Sequence, residues 1–188
     1  IVLELFDKCG LQILHVEELW THGGSLRVWA SPSPSASNDV RPSVDALRRR
    51  EHDAGLQTFS YFQDMQACAE QTKHSLLRYL LQARATDAAV VGYGAAAKGN
   101  TLLNFAGVRR DLLPVVFDKS PHKQGKYLPG SQIPIADPQE ISRFAPDRVI
   151  IFPWNLAEEI VAELPCHGLE RVELATFIPV ESIRQLKK

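Results

Sequence analysis

Gly92-Tyr93-Gly94-Ala95-Ala96-Ala97 follows the apolar run 88–91 and leads into a helix-forming stretch. Glycines and small residues at that spacing let a chain turn sharply from strand to helix and bring backbone N–H groups close to an anion, which is the chemistry of phosphate binding at a helix N-terminus. Lys98 adds a cation where phosphate oxygens would sit, and Asn100 and Thr101 add hydrogen-bonding groups. Asp118 ends the next apolar run, 113–117, near the position where such turns are partnered by a ribose-binding acid. The same residues would also serve a tight strand-to-helix connection with Asp118 capping a turn, and it is Lys98 that favours a ligand.

Further candidates lie where open α/β sheets collect ligand contacts, beyond the C-terminal ends of strands. The loop 120–130, SPHKQGKYLPG, is basic and glycine-containing, and its His122, Lys123, Lys126 and Tyr127 suit a pyrophosphate or a base. Trp154 and Asn155 follow the run 148–152; Asn155 is also of the type that caps a helix. His22, in the turn Thr-His-Gly-Gly-Ser, is a weak catalytic candidate and a better ligand-lining one. The pair Glu51-His52 and the basic run 48–50 sit on a polar helix and read as surface. Cys9, Cys68 and Cys166 are far apart and form no Cys-x-x-Cys pair, so no structural zinc site and no disulfide framework is expected. The glycine turn also differs from a methyl-donor site of the S-adenosylmethionine type, which carries an acid before a Gly-x-Gly-x-Gly; Val90 and Val91 precede it here, and Ala96 stands for the third glycine.

The elements that must position these groups follow from apolar periodicity. The first residues read as the last turns of a helix ending at Gly10, then a strand at 11–19, a turn at 21–25 and a strand at 26–30. Ser and Pro dominate 31–42, a linker composition. A short helix at 44–52 and a long one at 56–85 come next. From residue 87, short apolar runs at 88–91, 113–117, 148–152 and 172–177 alternate with helical stretches at 98–107, 138–145 and 156–164, the pattern of βαβ units and a mostly parallel sheet. The expected organisation is therefore 1–31, a linker at 32–42, a helical connector at 43–86 and an α/β domain at 87–188.

With 188 residues, 45% of them hydrophobic, the chain can bury a full core. Its net charge of −1 is spread along the sequence and excludes the basic footprint of a nucleic-acid or anionic-membrane binder. No apolar run approaches the length of a membrane span, and there is no signal peptide at the start, so a cytoplasmic setting is expected. The first residue is Ile1, inside an amphipathic pattern, so the sequence reads as a piece of a longer chain.

GYGAAAKGNTLLNFAGV, then FDKSPHKQGKYLPGSQIPI, PDRVIIFPWNLAEEI and a closing FIPV resemble the C-terminal domain of S-adenosylmethionine-dependent sugar C-methyltransferases, and THGGSLRVWAS resembles the last hairpin of that family's catalytic domain. The resemblance implies a Rossmann-like α/β domain, preceded by a β-hairpin remnant and a helical segment. It further implies a nucleotide-diphospho-sugar partner, whose carbon next to a ketone is deprotonated and methylated. S-adenosylmethionine is implied for the full enzyme and is not expected to bind this portion, since the family's cysteine cluster, donor motif and Tyr/His/Glu/His base cluster are all absent from it. Two alternatives stay open: a nicotinamide-type binding module using the same turn, and a domain that only scaffolds or oligomerises. Oligomeric state is not readable from the sequence.

Overall fold

The structure is a computed structural model that describes residues 1–33 and 40–186. Most of the expected linker, 34–39, lies outside the described residues. The chain divides into two compact units, Ile1–Met65 and Gln66–Lys188.

In the first unit, α1 (Val2–Lys8) leads into the antiparallel hairpin of β1 (Leu11–Leu19) and β2 (Ser25–Pro32). Its turn is a 3-10 segment, Thr21–Gly23, in which His22 and Gly23 have positive φ, as does Gly24 immediately after it. Across the strands His15 faces Trp29 and Glu17 faces Arg27, giving a ring stack at 4.8 Å and an ion pair at 3.2 Å. Helix α2 (Pro42–Asp53) begins with Pro at a position where no N–H is needed, and its one buried residue is Val44. Ser43 ties it to the hairpin, lying 2.6 Å from His15 Nδ1 and accepting from the Val16 N–H at 3.3 Å. The helix expected to run unbroken over 56–85 is two helices, α3 (Phe59–Phe62) and α4 (Met65–Ala85). Gly55 at φ +76, with its carbonyl accepting from the Thr58 hydroxyl, sets a turn just ahead of α3.

In the second unit, α4 is followed by β3 (Val90–Tyr93), α5 (Ala97–Ala106), β4 (Val116–Phe117), β5 (Ile135–Ala136), β6 (Arg148–Ile151), α6 (Ala157–Glu163), β7 (Glu173–Thr176) and β8 (Ser182–Gln185). These strands form one sheet in the order β5-β4-β3-β6-β7-β8, parallel except for β8, which runs antiparallel to β7. This is a Rossmann-like α/β sheet flanked by helices. Alternate residues of each strand face opposite layers. Val90, Val116, Ile150 and Ala175 pack under α4 and α5 with Leu76, Leu80 and Leu103, whereas Val91, Phe117, Val149 and Leu174 pack on the other face with Ile141, Ile160 and Leu164. The stretch expected as a helix at 138–145 is a 3-10 helix, Pro138–Phe144, capped by the Asp137 side chain, which accepts from the Gln139 N–H. Asn155 does not cap α6: it sits inside a 3-10 turn, Trp154–Leu156, and the residue preceding α6 is Leu156. Among the described residues no helix is long and apolar enough to cross a membrane.

Candidate functional site

Strand order reverses direction at β3, since β4 lies on one side of it and β6 on the other. A crevice therefore opens beyond the C-terminal ends of these strands, where connections leave for opposite faces of the sheet. The glycine turn sits at that point. Gly94 has φ +85, and a Cβ there would overlap the Pro153 ring, reaching its Cγ at 2.6 Å. Gly92 lacks room for a different reason: its Cβ would lie 2.7 Å from Phe152 and 2.8 Å from Val116. Gly99, in the first turn of α5, lies directly against Phe152. The glycines thus let the turn, α5 and the loop after β6 close on one another.

The turn's own amides are largely spent within the protein. Gly94 N–H donates to the Phe117 carbonyl at 2.6 Å, Ala95 N–H to Asp118 Oδ2 at 2.7 Å and Ala96 N–H to the Gly94 carbonyl at 2.8 Å. The donors left for an anion are in the next turn, the first of α5, where the N–H groups of Ala97 and Gly99 have no intrahelical acceptor and no side chain caps the helix.

Asp118 is nearly buried, at 8% exposure. Both carboxylate oxygens already accept: Oδ2 from Ala95 N–H and from Lys123 Nζ at 3.1 Å, Oδ1 from Ser120 N–H at 2.8 Å. Lys123 also donates to the Ala95 carbonyl at 3.0 Å, and Gln124 to the Asp118 carbonyl at 2.9 Å. The acid and the lysine together rivet the glycine turn to the loop after β4.

That loop and α5 enclose an open cleft of about 450 Å³ lined by Ala95, Ala96, Ala97, Asn100, His122, Lys123, Lys126, Tyr127, Leu128, Pro129 and Ile135. No carboxylate is among the lining residues, and among the described residues nothing pairs with the Lys126 ammonium. Its lining combines the cations of Lys123 and Lys126 and the start of α5 with the phenol of Tyr127 and the apolar Leu128, Pro129 and Ile135. Such a cleft can hold a ligand with an anionic part and a flat or apolar part.

The structure thus brings together Asn100, His122, Lys123, Lys126 and Tyr127 beside the turn carrying Gly94, with Asp118 fastening it. Lys98 turns toward β6 and lies 4.7 Å from the centre of the Trp154 ring, a cation–π contact on the other flank of α5. Thr101 bonds back to the Ala97 carbonyl at 3.1 Å, and Asn155 is exposed. Tyr93 is buried in the core rather than in the cleft, and burial, with the carboxylates of Glu163, Asp118 and Asp137, pushes its phenol up to about 12. His22 belongs to the first unit, exposed at φ 58. A second hollow, in the first unit, contains Glu18, Arg50, Glu51 and Tyr61, but its main charges satisfy each other: Arg50 meets Glu18 at 2.7 Å and holds that carboxyl below its usual range. Among the described residues no group of three His, Cys, Asp or Glu is placed to hold a metal.

Leu128, Pro129, Ile135 and, behind Asn100, Asn104 were not singled out in the sequence. Asn104 had a legible signal, its spacing of four from Asn100 on one helix face.

A family model described as the C-methyltransferase C-terminal domain matches residues 20–179. C-methyltransferase NovU of Streptomyces niveus is 32% identical over 157 residues, which are 84% of this chain but 37% of that protein, so the chain spans little more than a third of the relative's length. Among solved structures, UDP-D-quinovosamine 4-dehydrogenase from Vibrio fischeri matches over 52% of this chain and 92% of its own at 21% identity and a TM-score of 0.36. RSP, a Rex-family repressor, matches over 61% of this chain and 58% of its own at 16% identity and a TM-score of 0.35. Nothing about ligands rests on these two distant likenesses.

Proposed function

The chain belongs to the C-methyltransferase C-terminal domain family, and from that premise we propose that its α5 cleft holds the nucleotide diphosphate of a keto-deoxysugar that the whole enzyme methylates at the carbon beside the ketone. The observation that carries this reading is the convergence of the α5 N-terminus, Asn100, His122 and Lys126 in one cleft that no carboxylate lines. In this reading the first-turn N–H groups and Lys126 bind diphosphate oxygens, Asn100 donates a further hydrogen bond, and Tyr127 packs against the base. Lys98, held over Trp154, supplies charge on the opposite flank.

S-adenosylmethionine would supply the methyl group in the complete enzyme. The glycine turn does not fit it, because Val90 and Val91, both buried in the sheet, occupy the positions where a donor site carries its acid. We therefore assign donor binding and the proton-abstracting base to parts of the enzyme other than this chain, and to this chain the holding and orienting of the acceptor. A nicotinamide-type module is disfavoured by Asp118, whose nearly buried carboxylate already accepts three hydrogen bonds within the protein and offers a ribose little access.

Titration calorimetry with thymidine diphosphate tests the reading. The expected result is binding that weakens with salt and falls about 10-fold in Lys126→Ala, as for one charge-assisted contact. A folded sample that binds no nucleotide refutes it, and a dimer with flat titrations would favour a scaffold. Tighter binding of NADH than of thymidine diphosphate would move the assignment to a redox cofactor.

A further inference from the structure

Behind the cleft lies a chain of amide contacts. Asn104 Nδ2 donates one N–H to the Pro129 carbonyl at 2.9 Å and shares the other between the Asn100 backbone carbonyl at 2.9 Å and Asn100 Oδ1 at 3.2 Å. An amide whose oxygen is held on one side presents its NH₂ on the other. Asn100 lines the cleft, and among the described residues nothing accepts from its Nδ2. The loop that closes on Asn104 is shaped for the purpose: Gly130, at φ +80, has no room for a Cβ, which would overlap the side-chain Oδ1 of Asn104 and lie 2.9 Å from its Cγ. Arg109 fastens the same loop by donating to the Gly130 carbonyl.

We infer that Asn104 is a positioning residue: by holding Asn100 Oδ1, it fixes the Asn100 amide with its NH₂ toward the cleft, as a donor to an anionic oxygen of the bound diphosphate. This rests on the diphosphate reading of the cleft. With the oxygen tethered, the amide cannot flip to present an acceptor, so a negatively charged ligand meets a donor already in place and loses no rotamer freedom of Asn100 on binding. Without Asn104 both orientations become available and the ligand must select one.

A double-mutant cycle on the full chain, read by calorimetry with thymidine diphosphate and with folding checked by circular dichroism, tests this. Asn100→Ala is expected to weaken binding about 10-fold. Asn104→Ala is expected to weaken it about 5-fold in the wild-type background and not at all in the Asn100→Ala background. Asn100→Asp keeps every contact of Asn104 with Pro129 yet turns a carboxylate toward the diphosphate, so it is expected to bind more weakly than Asn100→Ala. An Asn104→Ala loss of equal size in both backgrounds would show that Asn104 acts through the loop, and Asn100→Asp binding as tightly as wild type would show that no donor is required; either overturns the inference while the diphosphate reading stands. Failure of the wild type itself to bind thymidine diphosphate, with both asparagines intact, would bring down that reading and the inference with it.

Discussion

Replacing Asp118 by Ala separates two roles that the same residue type can play at the end of a second strand. The structure makes it a strut. Its carboxylate receives two backbone N–H groups, from Ala95 at 2.7 Å and Ser120 at 2.8 Å, in a site only 8% exposed. Each charge-assisted bond of this kind contributes about 1.5 kcal/mol, and a half-exposed partner such as Lys123 adds less than about 1 kcal/mol after screening by water. Asp118→Ala should therefore lower the unfolding free energy of the free protein by about 3 kcal/mol, measured by urea denaturation at neutral pH without nucleotide. Asp118→Asn, which keeps one acceptor oxygen, should cost about half as much, and Lys123→Ala less than about 1 kcal/mol. If Asp118→Ala unfolds within about 0.5 kcal/mol of wild type while nucleotide affinity collapses, the carboxylate is a ligand group and the strut reasoning is wrong.

Other perturbations follow from the same geometry. Gly94→Ala adds a Cβ to a left-handed backbone and drives it into the Pro153 ring, so it should destabilise the ligand-free protein by about 3 kcal/mol in denaturant melts; an unchanged midpoint would mean the turn can relax. Tyr93 has a raised phenol pKa, about 12 folded against the ordinary 10, so the neutral form is favoured by folding: its contribution is intact below pH 10 and fades as pH rises toward 12. Tyr93→Phe should remove that part of the alkaline slope and, because the buried hydroxyl has no hydrogen-bond partner among the described residues, leave neutral-pH stability nearly unchanged. Arg148, mostly buried, pairs with Glu173 on the neighbouring strand at 3.2 Å and lies 4.9 Å from the Tyr79 ring centre; Arg148→Ala should cost about 2–3 kcal/mol by urea denaturation, with Arg148→Lys recovering only part of it.

The parallel sheet was legible because β3, β6 and β7 lie in short, largely apolar runs separated by helix-length stretches, and it is that alternation of runs, not a period within them, that marks buried strands. Two strands escaped it for opposite reasons. β5 is a pair of residues between Pro134 and Asp137, too short to carry a period, while β8 is exposed at every position and owes its existence to the backbone of β7. At the site, the residue types around the turn could be read from the sequence, but their partners could not. Asp118 and Lys123 are five residues apart, and only the fold shows that both reach Ala95. Tyr93 sits between two glycines of the motif, yet its side chain follows the alternation of β3 and enters the core. Trp154 and Lys98 are far apart in sequence and meet because β6 is the neighbour of β3.

The internal hydrogen bonds of residues 94–96 also decide where ligand occupancy will be visible by hydrogen exchange. The Gly94 amide, bonded to the Phe117 carbonyl next to a central strand paired on both sides, must wait for the sheet itself to open before it trades its proton, whereas Ala95 and Ala96 wait only for their local bonds to Asp118 and Gly94 to break. A nucleotide can slow Gly94 no further than that opening allows. The amides of Ala97 and Gly99 lack an intrahelical acceptor, and their exchange is limited by access alone. Labelling with and without ligand should thus leave Gly94 silent and place the protection at the start of α5, beginning at Ala97.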